Sequence, residues 1–578
     1  MVNQVKRHAH PVRALCSSIA QPEPAMWLAG LTIGLVAAVW LYGWRIAIPT
    51  NVGWLLQGGD ISSHFLGWDM FRRDSWRWPP GANPTLGDIS PNSVVFSDSV
   101  PLLALLFKLL RAVLPDPFQY QGFVLIGDFM LNGAFAALLA YRLCRKAVPS
   151  LAMAAFVATA TIVTSRGPGG HGHDSLTAHW LILAAFVLVW TGQQMATCRR
   201  YRLWTVLILV SALIHFYLLV MVFAIWAADG VYRFAALPTH RRGLWVHAST
   251  VALLLLATMY LAGYFSGAQG VMPDATGFGL FSANVLTFID PGSSAWYFHS
   301  STGVSSMSVF LRNMPEFGGG QYEGNAYLGA GLLMVVVIGA AYWLRGESLR
   351  FSAPTCVLSI TALLLALAAF SNIVAVGGHE LIHVDLPRPL ATLAGLVRAS
   401  GRFIWVLFYL LVFGCFTSVV SHLRPALAAS LLMSALAIQL IDLAPWHAYL
   451  RRANHDHPAV PAEVGDPRIQ AMIAGAHRVV FVPVKDIPYG YVEFTYLAAQ
   501  HNMAVNSTYS ARPVPALLAH DDAAEKHKLL GGHVPPDEFF VVAQQAGIAE
   551  AACGRPGMTC LPLADSRLVV MRAPNGLN

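Results

Sequence analysis

The sequence predicts a mainly α-helical, polytopic membrane protein that ends in a soluble α/β domain. Of its 578 residues, 56% are hydrophobic and only 12% are charged, which is about half the roughly 25% that is usual in soluble proteins. Apolar runs close to the roughly 20 residues that cross a bilayer recur along most of the chain. The net charge of +7 fits Lys and Arg on the cytoplasmic side of a membrane better than nucleic-acid binding.

Eleven membrane helices are predicted from these runs. The segment 203–232 is long for one span and has basic residues at both ends, so we predict two short helices that turn near His215. Residues 98–114 are apolar but contain Lys108 and Arg111, and they are predicted to form an amphipathic helix in the outer interface. The other predicted spans are 26–48, 118–144, 149–165, 176–196, 244–266, 326–345, 352–371, 401–421 and 425–444.

The distribution of basic residues predicts the orientation. Residues 1–25 form a cytoplasmic segment, because the apolar run that follows is full length and lacks a convincing small-residue cleavage site. The loops 49–117, 166–175, 267–325 and 372–400 are then outside. The cytoplasmic turns that set this orientation contain Arg142, Arg145, Lys146, Arg345, Arg350, His422 and Arg424.

The transmembrane domain is assigned to residues 26–445, and the polar tail 446–578 is predicted to be a periplasmic α/β domain. Two β-like runs, 478–482 and 567–571, flank a helical stretch at 491–501. Of the seven cysteines, Cys553 and Cys560 are the pair on the predicted oxidising side. A disulfide between them is therefore expected.

The first outer loop holds the strongest candidate for catalysis. Asp60 follows Gly58-Gly59 close to the outer end of the first span, and a carboxylate at the boundary between water and lipid suits a general base. An Asp after glycines is also a common turn residue. Neighbours that could join it in one polar cluster are His64, Asp69, Arg72, Arg73, Asp74, Asp88 and Asp98.

The second outer loop, 165–174, offers Arg166, His171 and, just beyond it, His179 as donors to a phosphate group. Its glycines allow the backbone to approach a ligand closely. His171, His173, Asp174 and His179 are also metal-ligand types, but they lack HExxH spacing, which disfavours zinc. A divalent cation, Mg or Mn, held by Asp60 and Asp69 is left open as a cofactor.

Three further polar residues lie at predicted span ends, where ionisable groups are functional candidates. His215 lies at the tip of the short helix pair. Arg402 begins a span in the segment 398–403, and Glu323 precedes the span that starts at 326. The segment 322–329, which contains Glu323, is predicted to line the same cavity as His215 and Arg402.

Several motifs together resemble a bacterial membrane-protein family of the GT-C glycosyltransferase superfamily (DUF6311-like). They are Gly59-Asp60…His64…Gly67-Trp68-Asp69…Phe71-Arg72…Trp76…Pro79…Gly81, Arg166…Gly170-His171…His179-Trp180, Tyr327-Leu328-Gly329 and Ser400-Gly401-Arg402-Phe403. The resemblance extends to about residue 445. It implies a many-helix fold with a large first outer loop, an acid near the end of the first helix as catalytic base, and a sugar on a polyprenyl-phosphate carrier as donor.

The expected activity is inverting transfer of that sugar to a glycan, lipid or protein acceptor in the cell envelope, with Asp60 as base. Arg166, His171 and Arg402 are the candidates to stabilise the charge on the leaving lipid phosphate. No second acid follows Asp60 directly, which disfavours a paired-carboxylate metal site of the oligosaccharyltransferase kind. The alternatives are a transporter or flippase for lipid-linked sugars and a non-catalytic envelope-assembly protein, although no internal repeat typical of transporters is visible.

Overall fold

The computed structural model describes residues 22–190, 192, 195–266, 277–292, 306–345, 352–455, 458–485, 488, 490–507, 509, 514–544, 547–563 and 568–577. Most of the predicted cytoplasmic segment 1–25 therefore lies outside the described residues. The helices are α1 (Pro22–Tyr42), α2 (Gly59–Arg73), α3 (Pro101–Leu109), α4 (Gln121–Cys144), α5 (Ala147–Thr159), α6 (Thr161–Thr164), α7 (Trp180–Trp190), α8 (Thr197–Ile214), α9 (Phe216–Ala236), α10 (Arg241–Ala262), α11 (Ala330–Leu344), α12 (Ala353–Phe370), α13 (Arg388–Gly395), α14 (Ile404–His422), α15 (Pro425–Asp442), α16 (Ala444–His455), α17 (Ala462–Gly465), α18 (Pro467–Ile473), α19 (Tyr491–Gln500), α20 (Pro515–Leu530) and α21 (Ile548–Cys553). The strands are β1 (Ile373–Val376), β2 (His379–His383), β3 (Arg478–Val482), β4 (Ala504–Val505), β5 (Glu538–Ala543), β6 (Thr559–Leu563) and β7 (Leu568–Arg572).

The prediction of a mainly α-helical membrane protein with a C-terminal α/β domain is confirmed. Each of the eleven predicted spans contains a helix. Among the described residues, eight helices are long and apolar enough to cross a membrane, and two shorter apolar helices cover 174–190 and 330–344. The eleventh, α8, begins with three arginines within its first six residues, so the exact number of spans stays a prediction.

The helices α8 and α9 form the hairpin that their flanking charges predict. Their single connecting residue, His215, is extended (φ −159°, ψ 138°), and its Nδ1 accepts a hydrogen bond from the Tyr217 amide that starts α9. Near the far end of the hairpin, Arg200 Nη2 lies 2.6 Å from Asp229 Oδ1. A contact between the start of α8 and the end of α9 requires the two helices to run antiparallel.

The two ends of the helical bundle differ in charge and in composition. One end carries basic residues that pair with isolated acids: Arg142 with Glu23 (2.9 Å) and Arg200 with Asp229. The other end, where α1 finishes and α4 begins, carries Asp60, the histidines of the second loop and His215. The candidate catalytic and substrate-binding residues therefore lie at one end of the bundle.

Residues 49–117, which the sequence predicts to be a polar outer loop, contain a buried helix. Residues 59–73 form α2, and every side chain from Ile61 to Arg72 is buried. This helix packs against α3 and against α19 of the C-terminal domain, so other parts of the protein cover its apolar side chains. A helix also occupies 101–109, inside the predicted interfacial segment, although Lys108 is buried there and its ammonium lies 3.7 Å from the ring centre of Phe71.

The C-terminal domain is built on a five-stranded mixed sheet in the order β4-β3-β5-β7-β6. The strands β4, β3 and β5 are parallel, whereas β7 runs antiparallel to both β5 and β6. The sequence placed β3 at its observed bounds and β7 within one residue. Helix α16 belongs to the membrane bundle by packing, because it lies along α1 and its Trp446 donates to the hydroxyl of Thr164.

The C-terminal domain is docked on the first outer loop by backbone and side-chain contacts. Val505 at the sheet edge exchanges backbone hydrogen bonds with the loop, to Thr85 O (2.9 Å) and from Asp88 N (2.8 Å). The guanidinium of Arg478 forms a two-pronged ion pair with the carboxylate of Asp88, at 2.7 and 3.0 Å. These contacts hold the domain above the end of the bundle that carries Asp60.

Candidate active site

Asp60 lies in the first turn of α2, where the backbone turns sharply. Gly58 and Gly59 precede it in left-handed conformations (φ 91° and 73°) that other residues rarely adopt. One carboxylate oxygen lies 3.0 Å from His173 Nε2, and the Asp60 side chain remains 21% exposed. The hydroxyl of Tyr509, from the C-terminal domain, also hydrogen-bonds to Asp60. Burial opposes ionisation of Asp60, but His173 and Tyr509 outweigh it and lower the pKa of the carboxyl below its ordinary value.

His64 lies one helical turn after Asp60 and is oriented by a carboxylate. Its Nδ1 is 2.5 Å from Asp174 Oδ1, and both side chains are buried. Burial favours the neutral imidazole, yet the charges of Asp174, Asp98 and Asp60 outweigh it and raise the pKa of His64 to about 9. The imidazole is therefore a cation at neutral pH, beside the carboxylate of Asp60.

Glu323, Arg166 and Arg402 form a buried ionic cluster behind Asp60. Arg166 Nη1 lies 2.5 Å from Glu323 Oε2, and Arg402 binds the same carboxylate through Nη2 (2.6 Å) and Nε (3.0 Å). Burial would raise the pKa of Glu323, but the two guanidinium groups hold it well below its usual range. The cluster has a net charge of +1, and the carboxylate takes up much of the donor capacity of both arginines.

The other predicted histidines lie around this cluster. His171 stacks on Tyr322, with ring centres 4.7 Å apart, and burial and the charge of Arg166 lower its pKa well below the ordinary value. His179 Nδ1 lies 2.9 Å from the Tyr409 hydroxyl, deeper among the helices. His215 Nε2 is 3.6 Å from Asp98. The structure therefore brings His171 and His215 to the rim of the site, with His179 below it.

Asp69 and Arg72, which the sequence grouped with Asp60, lie elsewhere. Asp69 is nine residues further along α2, or roughly 13 Å at the helical rise of about 1.5 Å per residue. Its carboxylate pairs with Arg72 (2.7 Å) and Arg73 (3.3 Å), and both arginines also reach Asp116. These four residues fasten α2 to the segment before α4. A cation shared by Asp60 and Asp69 does not fit this structure, because the two carboxylates do not converge.

A different group could hold a metal ion. His64, Asp98 and His173 each offer a ligand atom, and these atoms lie within 4.8 Å of one another. The hydrogen bond from His64 to Asp174 resembles the carboxylate contact that orients metal-binding histidines. Two imidazoles and one carboxylate suit Zn²⁺ better than the Mg²⁺ or Mn²⁺ that the sequence left open.

Four residues at the site were not assigned these roles from the sequence. His173 and Asp174 were weighed only as metal ligands, and Asp98 only as a member of a loop cluster. The sequence His171-Gly172-His173-Asp174 places three ionisable residues in one short loop, and this pattern could have indicated a role beside Asp60. Tyr509 was missed entirely, because nothing local in the tail indicates that it reaches Asp60. In the tail itself, Cys553 and Cys560 form a disulfide with their Cα atoms 5.9 Å apart.

Comparison with solved structures finds only weak similarity, and no curated protein matches the chain in sequence. Archaeal oligosaccharyltransferase AglB from Archaeoglobus fulgidus, in complex with an inhibitory peptide and a dolichol-phosphate, gives a TM-score of 0.44 at 14% identity over 96% of this chain and 76% of that one. ArnT from Cupriavidus metallidurans, bound to undecaprenyl phosphate, gives 0.41 at 12% identity over 96% and 98%. At these TM-scores the similarities do not define the chemistry of this chain.

Comparison with domain families gives a firmer result. Residues 31–444 match the domain of unknown function DUF6311, and residues 468–572 match the DUF6311 C-terminal domain. The second match begins after α16, which agrees with the packing of that helix against the membrane bundle. Since the first match alone covers more than half of the sequence, the chain belongs to the DUF6311 family.

Proposed function

We propose that this chain is a membrane glycosyltransferase that moves a sugar from a polyprenyl-phosphate donor to a hydroxyl group of a cell-envelope glycan, lipid or protein. The observation that carries the proposal is the environment of Asp60. An ionised, partly exposed carboxylate lies at one end of a membrane bundle, beside histidines and a cationic cluster, and under a polar domain. The motif resemblance to GT-C glycosyltransferases selects sugar transfer among the reactions that such a site could support.

In the proposed reaction, the acceptor oxygen attacks the anomeric carbon while the bond from that carbon to the phosphate oxygen breaks with inversion. The departing phosphate keeps the bonding electrons, and Asp60 receives the acceptor proton. Because the pKa of Asp60 is lowered, the carboxylate is ionised at neutral pH and takes the proton late, when bond formation has made the hydroxyl acidic.

The cationic groups around Asp60 are suited to the charge that develops on the leaving phosphate. The cluster of Arg166, Arg402 and Glu323 contributes a net positive charge in a buried setting, where electrostatic stabilisation is strongest. Protonated His64 adds a second positive charge near Asp60. A divalent cation at His64, Asp98 and His173 would require a neutral His64. It would then supply Lewis-acid stabilisation of the same phosphate in place of the protonated imidazole, and we propose that position instead of Asp60 and Asp69.

We further propose that the site faces the periplasm, with the N-terminus in the cytoplasm. The support is the position of the basic turns at the end of the bundle opposite to Asp60, which matches the cytoplasmic bias of Lys and Arg. Polyprenyl-linked sugars would then meet acceptors of the cell envelope outside the inner membrane.

The test is sugar transfer by the purified full-length protein in lipid nanodiscs, with a panel of polyprenyl-phosphate sugars. Asp60→Asn keeps the shape of the side chain and removes the basic carboxylate, so transfer should fall by roughly 10²-fold or more. Asp537→Asn, on the exposed surface of the C-terminal domain, is the matched control and should transfer normally. Full activity of Asp60→Asn with a donor that the wild type uses would exclude the base assignment.

A further inference from the structure

Residues 379–395 expose several apolar side chains, among ionisable ones, at the end of the bundle that holds Asp60. All five residues of β2 are exposed, including Leu381 and Ile382. Helix α13 adds Leu390 and Leu393, which are also exposed. Soluble surfaces rarely carry contiguous apolar patches of this kind unless something binds there.

This surface continues the lipid-facing side of a membrane helix. Strands β1 and β2 form an antiparallel β-hairpin that begins three residues after α12 ends. Helix α12 exposes Leu363, Leu364 and Leu367 along its length. A short amphipathic helix in such a place is typical of segments that lie in the interface of a bilayer. The charges of the hairpin are partly matched among themselves, since His383 lies 3.5 Å from Glu380 and 3.7 Å from Asp385.

Arg398 follows this surface directly and is an exposed guanidinium at the edge of the site. Among the described residues it has no hydrogen-bond or ion-pair partner, although it acts electrostatically on Tyr509. The amide of the next residue, Ala399, donates to the hydroxyl of Tyr217 (2.8 Å), and the guanidinium of Arg402 lies over that tyrosine ring at 4.7 Å. Arg398 therefore lies between the apolar surface and the ionic cluster.

Arg398 differs from the two buried arginines of the site in being accessible to a ligand. Arg166 and Arg402 both bind Glu323, and Arg166 is fully buried. A phosphate that reached either of them would compete with a carboxylate already in place at 2.5–2.6 Å. Arg398 offers its planar fork without such a competitor, and guanidinium groups bind phosphate oxygens in pairs.

We infer that residues 379–398 form the portal for the lipid donor, in which the apolar surface of β2 and α13 receives the polyprenyl chain and Arg398 binds its phosphate. This inference rests on the proposed function for the identity of the lipid. It adds Arg398 to Arg166, His171 and Arg402, the residues expected from the sequence to stabilise the charge on the lipid phosphate. Arg398 then positions the phosphate near Asp60. The cluster of Arg166, Arg402 and Glu323 stabilises the phosphate by its net positive charge, without direct contact.

The first experiment measures whether the surface lies in lipid, independently of activity. A fluorescent non-canonical amino acid is placed at Leu393, and in a second protein at the exposed Leu530 of the C-terminal domain. Lipids brominated near the headgroup should quench the fluorophore at 393 and leave the one at 530 unquenched. Absence of quenching at 393 would overturn the assignment of this surface to the membrane.

The second experiment measures binding of a synthetic polyprenyl phosphate and, separately, of phosphatidylglycerol to the full-length protein. Arg398→Gln should weaken polyprenyl-phosphate binding about tenfold or more, as expected for loss of a charge-assisted pair. Arg345→Gln, an exposed arginine directly after α11 and outside residues 379–398, is the matched control and should bind as the wild type does. Phosphatidylglycerol binding should be the same in all three proteins.

The outcomes separate this inference from the proposed function. If the wild type binds polyprenyl phosphate and Arg398→Gln binds it equally well, the portal assignment is wrong and the proposed function is unaffected. An equal loss for both lipids would identify a site for bulk anionic phospholipid and would also overturn the portal. No polyprenyl-phosphate binding by wild type, together with no sugar transfer, would overturn the donor assignment and the proposed function together.

Discussion

The buried carboxylate of Glu323 should dominate the stability of the site, and Glu323→Gln is the change that tests this. The carboxylate binds two guanidinium groups at 2.5, 2.6 and 3.0 Å, and Arg166 has no exposed surface. Glutamine keeps the shape but leaves both cations buried without a counter-charge, and its amide protons face their N–H groups. Removing one partner of a buried ion pair costs about 3–5 kcal/mol, so the unfolding free energy should fall by an amount in that range.

The assay is thermal unfolding in detergent, followed by tryptophan fluorescence, with a Glu380→Gln control. Glu380 is an exposed acid in the hairpin, 3.5 Å from His383, and surface pairs of this kind contribute about 0–1 kcal/mol. Replacing Arg166 with Met in the Glu323→Gln protein should recover part of the loss, because one unpaired charge is then removed. A Glu323→Gln protein as stable as the control would refute the reasoning that this carboxylate holds the cluster together.

Three further predictions concern the rest of the site and the tail. The pKa of His64 is raised from 6.5 to about 9, so its charge stabilises the fold below pH 6.5 and that contribution is lost as the pH rises through about 9. His64→Gln should therefore unfold at a lower temperature than wild type at low pH and at nearly the same temperature at high pH. A difference in unfolding temperature that does not change with pH would contradict this. Tyr509→Phe should reduce sugar transfer about tenfold through loss of its hydrogen bond to a charged group, while Tyr496→Phe at the same domain interface should not; equal activities would remove Tyr509 from the site. Non-reducing mass spectrometry should detect one peptide that links Cys553 and Cys560, and two free thiols in protein made under oxidising conditions would argue against the bond.

The sequence was most informative where one physical requirement dominates. A membrane helix needs a long apolar run, so the spans could be located from composition alone. Helix α2 could not be located in this way, because polar residues interrupt its apolar residues and its glycines are typical of turns. Gly67 in fact permits close packing, since a Cβ atom there would collide with Ser97. The helix is buried between two domains, and a short stretch of sequence does not show such an environment.

The site was predictable in its acids and arginines but not in its pairings. The position of polar residues at predicted span ends grouped Glu323 with Arg402, and the structure pairs these two side chains. The ion pairs depend on which segments the fold brings together. Asp69 pairs with Arg72 of its own helix, whereas Glu323 pairs with Arg402, which is distant in sequence. Tyr509 is the extreme case, because its contact with Asp60 depends on how a separate domain docks.

The most direct test of the account is a structure of the full-length protein with a non-hydrolysable polyprenyl-phosphate sugar. The account predicts that the phosphate binds Arg398 and that the anomeric carbon faces the exposed side of Asp60, with the lipid chain along α13. A phosphate bound at the opposite end of the bundle, near Arg200 and Arg233, would contradict it. So would a sugar placed beyond the reach of an acceptor hydroxyl that contacts Asp60.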